Sequence, residues 1–492
     1  MKKTGIKRWL ALFIALAVFT TACGSDSVSD VASNVADDVE EAVEDEEAME
    51  DEEAMEDEEA MEDEEAMEDD GAIATSGTVT IATGTTLNLD ECPDDWNPTE
   101  GIEDGEIRIG QTLPQSGPLA AFGAIGDGMR FYFDFINDTD PIAEGDLVLA
   151  VRDDAYEAGR AVANVEELVD DGIFAFGHVV GTPINLAIRP ITDEACVPQL
   201  FNSSGFPFWG DPANWPWTVG NILNYVTETE IWCQSAIESF GAGATVSALI
   251  MNNDFGQTYQ NTLNNSPACA DLTIVEDLVH DPAAADITNE MTTLIASDAD
   301  VFFAGTTSGF CSQTTAVLAA SQWRPRTYMS YTCNNLASFF APVADSVATL
   351  EADNAGPWMA NSNKVCGDPL FEDDPKMIEI EMILQEYGNV TCADGSFSIG
   401  VLYGEMLVDV IRAASEMEGG LNRVSLMHAT WNADLVNDGL LGGTLRLDGT
   451  NDAYWTEGAQ LQSIVTNDAG EPTFQPEGDF VDFEGQGGAF EG

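Results

Sequence analysis

From Gly105 onward, short apolar strand-like runs alternate with longer amphipathic helical stretches. The first round ends at the Pro- and Trp-rich stretch 211–221, and a second round of the same kind follows it. This alternation is typical of parallel sheets covered by helices on both faces, because each crossover between parallel strands needs a helix-sized connection. The two rounds therefore predict an α/β fold with two Rossmann-like lobes.

The segment after Gly356 has to complete both lobes. It contains the run PWMANSN, three helical stretches and the strand-like run GGTLRL. We assign residues 105–220 and 357–443 to lobe 1, and residues 221–356 and 444–480 to lobe 2. This division makes the chain cross between the lobes several times, which predicts a multi-crossing hinge with a ligand cleft between the lobes.

The N-terminus has the organisation of a secretory signal peptide over residues 1–22. Basic residues precede an apolar run from Trp9 to Phe19, which is shorter than the roughly 20 residues that a membrane-spanning helix needs. Small residues lead into Cys23, a pattern that resembles the lipobox of bacterial lipoproteins, so we predict lipidation of Cys23 and an extracytoplasmic, membrane-anchored protein. Thr20 stands where that pattern usually has Leu, which leaves ordinary cleavage near Ala22 and plain secretion as the alternative.

The segment 23–70 is predicted to be a disordered tether. Residues 24–70 hold 25 acidic residues and no Lys or Arg, and EDEEAM occurs four times in succession. A segment of like charge with few bulky apolar residues cannot bury enough surface to fold. The simplest interpretation of this segment is a solvated spacer. Cation capture and partner binding are the more specific alternatives. Residues 71–104 are expected to form an N-terminal extension, and 481–492 a C-terminal tail.

The chain is strongly acidic, with a formal net charge of −72. From Gly71 onward it has 63 acidic and 12 basic residues. A field of this sign opposes the approach of nucleic acid and of anionic membrane surfaces. Nucleic acid and anionic membrane surfaces are therefore expected to be poor partners, and contact with the membrane is expected through the predicted lipid anchor.

Eight cysteines remain besides Cys23, and an even number in an exported chain favours disulfides. Many pairings are formally open, and we favour Cys311 with Cys333 and Cys366 with Cys392. No CxxC motif occurs and no spacing fits a zinc site, so neither a metal nor another cofactor is predicted.

Three segments resemble one known family. IRIGQTLPQSGPLAAFGAIGDGMRFYFDFIN (107–137), RDDAYEAGRAVANVEELVDDGIFAFGHVVG (152–181) and LFNSSG (200–205) are similar to the solute-binding proteins of branched-chain amino acid ABC importers. The resemblance runs from about residue 105 to 470. It implies the type I periplasmic-binding-protein fold, a monomer, and a small-molecule solute that is handed to an ABC permease and its ATPase without chemistry.

The loop SGPLAAFG is the first candidate ligand loop. In open α/β sheets, ligands bind beyond the carboxyl ends of the strands, where this loop lies. Ser116 and Phe122 are its candidate binding residues, and the resemblance implies an aromatic ring against the ligand at Phe122. Burial of Phe122 in the core is the alternative.

The next two strand ends are expected to bind a carboxylate. Thr182 before Pro183 is typical of an N-cap followed by the first helical residue, which leaves backbone N–H groups free for an anion. The resemblance implies carboxylate contacts at Thr182 and at Ser203, Ser204 and Gly205. Simple capping or turn chemistry is the alternative for these residues.

The second lobe departs from the amino acid binders of the family. Phe255 replaces a tyrosine that is frequent there, and Thr306 and its neighbours replace an aromatic residue. Tyr331 or Thr332 takes the place of the acidic residue that pairs with a ligand ammonium. A buried ammonium without a carboxylate partner is costly. The predicted solute is an amide or urea-like compound or a carboxylic or aromatic acid, ahead of an amino acid.

An enzyme is not predicted. The chain has three histidines and lacks HExxH, GxSxG and Walker A patterns. The alternative within the same fold is a ligand-sensing receptor domain for a signalling partner. A membrane-spanning sensor needs a second apolar segment, and we find none in the sequence, so a tethered binding protein that serves an importer is the preferred interpretation.

Overall fold

The computed structural model describes residues 73–483, 485 and 490. The predicted signal peptide, the tether with Cys23 and most of the C-terminal tail lie outside these residues. No helix within the described part is long and apolar enough to span a membrane.

Helices and strands alternate through both predicted rounds. The helices are α1 (Gly123–Thr139), α2 (Ala158–Asp170), α3 (Thr182–Glu194), α4 (Tyr225–Phe240), α5 (Asp254–Asn265), α6 (Thr288–Ala296), α7 (Gly309–Ala320), α8 (Ala344–Ala352), α9 (Pro375–Ile383), α10 (Phe397–Ser415) and α11 (Arg423–Trp431). The strands are β1 (Thr78–Ala82), β2 (Thr85–Asn88), β3 (Ile102–Glu103), β4 (Glu106–Leu113), β5 (Asp146–Asp153), β6 (Ala175–Gly177), β7 (Gln199–Asn202), β8 (Thr218–Gly220), β9 (Thr245–Met251), β10 (Thr273–His280), β11 (Val301–Gly305), β12 (Arg326–Met329), β13 (Trp358–Asn361), β14 (Asp434–Val436), β15 (Thr444–Arg446), β16 (Gln460–Thr466) and β17 (Pro472–Pro476).

The first sheet contains six strands and belongs to lobe 1. Strand β4 lies between β5 and β6, and β5, β4, β6, β7 and β8 all run parallel. The short strand β3 pairs antiparallel with the start of β4. The predicted α/β fold with parallel sheets is therefore confirmed for this lobe.

The second sheet contains seven strands in the order β10-β9-β11-β12-β13-β16-β17. The first five are parallel, whereas β16 and β17 are antiparallel additions. Helix α7, which connects β11 to β12, is not predicted from the sequence, because its residues give no clear division into an apolar and a polar face. The sheet forms the centre of lobe 2.

Strand β13 corrects one predicted boundary. Residues 357–443 are predicted in lobe 1, yet β13 is hydrogen-bonded within the second sheet, with Trp358 opposite both Tyr328 and Ser463. All four residues of β13 are buried, so this strand gains more burial between β12 and β16 than it would at an outer edge. The return to lobe 1 therefore occurs after Asn361.

The chain passes between the two sheets three times: after Gly220, after Asn361 and before Gln460. The predicted multi-crossing hinge is thus present. Helices α9, α10 and α11 come after the second crossing and pack on lobe 1, where α10 lies along α1. Late parts of the chain therefore complete the wall of the first lobe.

Four disulfides join the eight cysteines of the described region. The two predicted pairs, Cys311–Cys333 and Cys366–Cys392, are both present. Cys233–Cys269 links helix α4 to the turn before β10. Cys92–Cys196 closes 104 residues of sequence and fastens the N-terminal extension to lobe 1, so this extension is part of the folded body.

Helices α1 and α10 approach each other so closely that only glycine fits at their crossing. A Cβ atom on Gly128 would overlap the carbonyl oxygen of Phe397, and one on Gly400 would overlap the carbonyl oxygen of Ile125. Neither obstacle can rotate away, because both are backbone atoms of a helix. The two glycines therefore set the distance between α1 and α10.

We expect Gly128→Ala and Gly400→Ala each to lower the free energy of unfolding by about 2 kcal/mol, the usual cost of overpacking a core. Gly159→Ala in helix α2 is the matched control, since its added Cβ would meet no atom within 4 Å. The control should be neutral or stabilising because alanine is the better helix former. Denaturant unfolding measures the change in free energy of unfolding for all three variants. A change in the control as large as in Gly128→Ala and Gly400→Ala would contradict the close crossing.

Candidate functional site

A cavity lies between the two lobes and encloses about 880 Å³, including its opening to solvent. Lobe 1 and the segment after β13 supply part of its wall: Leu119, Phe122, Ile125, Tyr156, Val180, Gly181, Thr182, Ser203, Ser362, Asn363, Ile399, Leu402, Tyr403, Met406 and Leu440. Lobe 2 and the segments that join it to lobe 1 supply the rest: Asn221, Ile222, Tyr225, Phe255, Thr307, Tyr331, Thr332, Asn334 and Thr456. The cavity therefore lies where the predicted ligand cleft lies.

None of the described residues that line the cavity carries a charge. The lining combines apolar side chains with hydroxyls and carboxamides. Such a surface provides neither a carboxylate for a ligand ammonium nor a cation for a ligand carboxylate. An anion can be held here only by hydroxyls, carboxamides and backbone N–H groups.

Six of the predicted binding residues line this cavity: Phe122, Thr182, Ser203, Phe255, Tyr331 and Thr332. They come from both lobes, so the structure brings together strand ends that are far apart in sequence. The ring of Phe122 also lies 6.1 Å from that of Phe339, edge to face, across the two lobes. Phe122 therefore faces the interlobe space as well as the core.

The other four predicted residues do not line the cavity. Ser116 is exposed and donates its hydroxyl hydrogen to Asp153, with 2.7 Å between the oxygens. Ser204 lies behind Thr182, to which its hydroxyl is hydrogen-bonded. Gly205 is packed against Leu223 and Tyr225. Thr306 is buried and its Oγ1 lies 2.8 Å from Nε2 of His280. These positions hold the loops that carry the lining residues.

Helix α3 begins at the cavity wall, one residue earlier than a Thr182 cap predicts. Gly181 occupies the cap position, with a φ of 103° that suits glycine, and Thr182 is the first helical residue. The carboxamide of Asn185 donates to the carbonyls of Val179 (2.8 Å) and Gly181 (2.9 Å) and holds both within the lobe. The N-terminal end of α3, with its partial positive charge, therefore remains at the cavity.

Tyr403 and its neighbours form a part of the site that sequence reasoning missed. The Tyr403 hydroxyl lies 3.1 Å from Oγ of Ser203, and the ring stacks on His178 at 4.2 Å between centroids. Burial lowers the pKa of His178 to about 3, so the imidazole is neutral and its Nδ1 accepts from Nδ2 of Asn221 at 3.3 Å. Tyr403 comes from α10, and only the α1–α10 crossing brings it here.

Tyr156 is a second missed residue, because its placement depends on an unusual turn. Ala155 and Tyr156 both have left-handed backbone, with φ values of 51° and 65°. The buried carboxylate of Asp154 accepts from the Tyr156 N–H at 2.7 Å and stabilises this turn. The Tyr156 ring lies on Gly181, where a Cβ would collide with it. Burial raises the pKa of Asp154 to about 6.

An acidic residue does exist on the lobe 2 side, one layer behind the cavity. Both oxygens of the fully buried Glu228 are engaged: one accepts from the Tyr331 N–H at 2.6 Å, and the other lies 2.5 Å from the Tyr259 hydroxyl. When Glu228 is protonated, the Tyr259 hydroxyl accepts the carboxyl proton and donates to Ser330. Burial raises the pKa of its carboxyl to about 8. Glu228 therefore anchors the loop of Tyr331 and Thr332, and it does not face a ligand.

The two lobes touch over the cavity. The Ser308 hydroxyl of lobe 2 donates to the carbonyl oxygen of Pro118 in lobe 1 at 3.3 Å. Together with the Phe122–Phe339 pair, this contact places the ligand loops of both lobes against one another. The structure thus shows a closed arrangement of the cleft.

One group of described residues has the proximity of metal ligands: Cys366, Glu381 and Cys392. The two sulfurs form a disulfide, so no thiolate is available there. This group offers a metal ion a single carboxylate, which does not make a site.

Comparisons with known proteins agree with this geometry. The family model described as "Periplasmic binding protein" matches residues 106–360. The fold is similar to that of a branched-chain amino acid ABC transporter protein from Thermus thermophilus with bound valine (17% identity, 77% of this chain and 96% of that one, TM-score 0.66). No curated protein sequence matches.

Two further solved structures share the fold. One is a fatty acid ABC transporter substrate-binding protein from Thermomonospora curvata (16% identity, 81% of this chain and 96% of that one, TM-score 0.63). The other is a solute-binding protein from Rhodopseudomonas palustris BisB5 in complex with 3,4-dihydroxybenzoic acid (16% identity, 77% and 98%, TM-score 0.62). The members of the matched family bind solutes and are not enzymes. Because the family model matches more than half of the sequence, this chain belongs to the periplasmic binding protein family.

Proposed function

We propose that this protein is an extracytoplasmic lipoprotein that captures a carboxylic or aromatic acid without an α-amino group and delivers it to an ABC importer. The carrying observation is the interlobe cavity, whose lining has no charged side chain. The solute docks on the loops of lobe 1, lobe 2 closes over it, and the closed form is the one that a permease recognises.

The polar groups of lobe 1 support a carboxylate at one end of the cavity. The start of α3, the Ser203 hydroxyl and the Tyr403 hydroxyl are neighbours there. A helix N-terminus and hydroxyl donors bind an anion without a formal cation. The carboxylate would be the single charge of the solute, because nothing in the lining compensates a second one.

The lobe 2 wall argues against an α-amino acid. Glu228 is the nearest buried carboxyl behind this wall, and the Tyr331 N–H and the Tyr259 hydroxyl occupy both of its oxygens. A ligand ammonium would have to displace these two partners or remain without a counter-charge, and either is costly. The solved relatives bind valine, a fatty acid and 3,4-dihydroxybenzoic acid, and the uncharged lining favours solutes of the latter two kinds.

The membrane anchor and the importer complete the proposal. Cys23 follows a short apolar run and precedes an acidic segment without Lys or Arg. A lipid on Cys23 and a tether of 47 residues would hold the binding domain within on the order of 40 Å of the membrane, where a permease is located.

Amide or urea-like solutes remain the second ligand class, since an uncharged cavity lining also suits them.

A thermal-shift screen of the purified protein tests the ligand class. We expect aromatic and aliphatic monocarboxylic acids at 1 mM to raise the melting temperature by several degrees, because a ligand that binds only the folded state stabilises it. Valine and leucine should give no shift, because their ammonium finds no partner. Stabilisation by α-amino acids alone would contradict the proposed class, and turnover of any compound would contradict a binding function.

The buried carboxyl of Glu228 gives a pH prediction. The raised pKa means that the folded protein keeps this proton between about pH 5 and 8 while the unfolded chain releases it, so its contribution to stability falls as pH rises. Relative to Glu228→Gln, the wild type should lose on the order of a few kcal/mol between pH 5 and 8.

Unfolding of both proteins at the two pH values measures this difference. Glu238→Gln, at an exposed position of the same helix, is the control for the exchange of a carboxyl for an amide. A parallel pH dependence in the wild type and Glu228→Gln would show that Glu228 is ionised in the folded state.

Mass spectrometry of the mature N-terminus tests the anchor. We expect a lipid-modified Cys23 as the first residue, and the protein in the membrane fraction. Cys23→Ser should abolish the modification and leave the protein out of the membrane. An unmodified N-terminus near Ala22 or Cys23 in the wild type would contradict the lipoprotein assignment.

A further inference from the structure

A second, smaller compartment adjoins the interlobe cavity. This compartment encloses about 270 Å³, including its opening, and shares four lining residues with the main cavity: Asn334, Asn363, Ile399 and Leu402. The start of α10 and the loops after β12 and β13 surround it. These four residues therefore form the wall that the two spaces have in common.

Helix α10 runs along the wall from the second compartment toward the proposed carboxylate end of the cavity. Tyr403 marks the carboxylate end through its contact with Ser203. Ile399, which lines both compartments, precedes Tyr403 by four residues, a rise of about 6 Å along the helix. Leu402 lies between them on the cavity wall. A solute that reaches from one end to the other thus passes an apolar surface before it meets the second group of polar side chains.

The hydrogen bonds of Asn363 fix which atom of Asn334 remains available. The carboxamide nitrogen of Asn363 donates to the carbonyl oxygen of Lys364 at 2.9 Å, so its Oδ1 must point the other way. This Oδ1 accepts from Nδ2 of Asn334 at 3.1 Å. Among the described residues, the side-chain hydrogen bond of Asn334 is the one that its Nδ2 donates to Asn363, and the residue lines the cavity with 5% of its surface exposed. Oδ1 of Asn334 is therefore free to accept from a ligand in the cavity.

A second anion is not expected in this compartment. Lys364 is the only basic residue among the described residues that line it, and its ammonium is paired with Asp374 at 2.6 Å. Asn335, the remaining carboxamide, donates to Ser396 and accepts from the Ser338 N–H. Among the carboxamide oxygens of the described residues that line this compartment, Oδ1 of Asn334 is the one left for a ligand, and it accepts a hydrogen bond.

We propose that Asn334, oriented by Asn363, forms a subsite for a neutral hydrogen-bond donor, such as a hydroxyl, at the end of the solute opposite its carboxylate. The subsite rests on the proposed function, because it needs an acid bound at the other end. The solute class becomes the elongated hydroxylated monocarboxylic acids, with a ring or an aliphatic chain along α10.

Matched pairs of acids test the subsite. The probes are benzoate, phenylacetate and 3-phenylpropanoate, each compared with its 4-hydroxy form by calorimetry on the full chain. We expect the wild type to bind the hydroxylated member at least tenfold more tightly at one or more of the three lengths, because the hydroxyl donates to Oδ1 of Asn334 inside the closed cavity. The Asn334→Leu variant should lose this preference and bind the unsubstituted acid within about threefold of the wild type.

Asn221→Leu is the matched control at the carboxylate end. It should weaken both members of each pair and leave their ratio unchanged, because Asn221 lies next to His178 and Tyr403. Equal binding of both members by the wild type at all three lengths would overturn the subsite while leaving the proposed function intact. Absence of binding to every acid would overturn both. If Asn334→Leu does not fold, the ratio of the wild-type affinities for the hydroxylated and unsubstituted acids still tests the subsite.

Discussion

The close crossing of α1 and α10 is the contact on which the rest of the site depends. Gly128 and Gly400 let the two helices meet backbone to backbone. This crossing attaches a late segment of the chain to the first lobe and places Ile399, Leu402 and Tyr403 opposite the loops of the early strands. The cavity thus has a rigid apolar side, and the polar groups at its ends are held at a fixed spacing.

Much of the fold is predictable because the spacing of apolar residues reports local structure. The alternation of strands and helices gives the two lobes, and the segment after Gly356 implies several crossings. The sequence does not reveal which sheet receives Trp358–Asn361, because a short buried strand has the same composition in either lobe. The pairing of the strand with both β12 and β16 is a long-range property.

The site is less predictable than the fold, for two physical reasons. Residues at strand ends, such as Phe122, Thr182 and Ser203, are found because topology brings such ends together. Tyr403 and Asn334 are missed because their positions depend on helix crossing and loop packing, which leave no periodic signal. Ser204 and Thr306 show the converse, since a polar residue at a strand end can serve the neighbouring loop instead of a ligand.

The contacts between the lobes have a consequence for selectivity. Ser308 donates to Pro118, Asn334 and Asn335 of lobe 2 donate to Asn363 and Ser396 of lobe 1, and the ring of Phe122 meets that of Phe339. These contacts form only when the cleft is closed, so a bound solute adds its own contacts to them. A solute shifts the open–closed equilibrium only by its differential affinity for the two states. A compound that contacts only one lobe binds the open form without closing the cleft. Such a compound competes with solutes that reach both lobes, so the range of molecules that bind exceeds the range that produces the closed form.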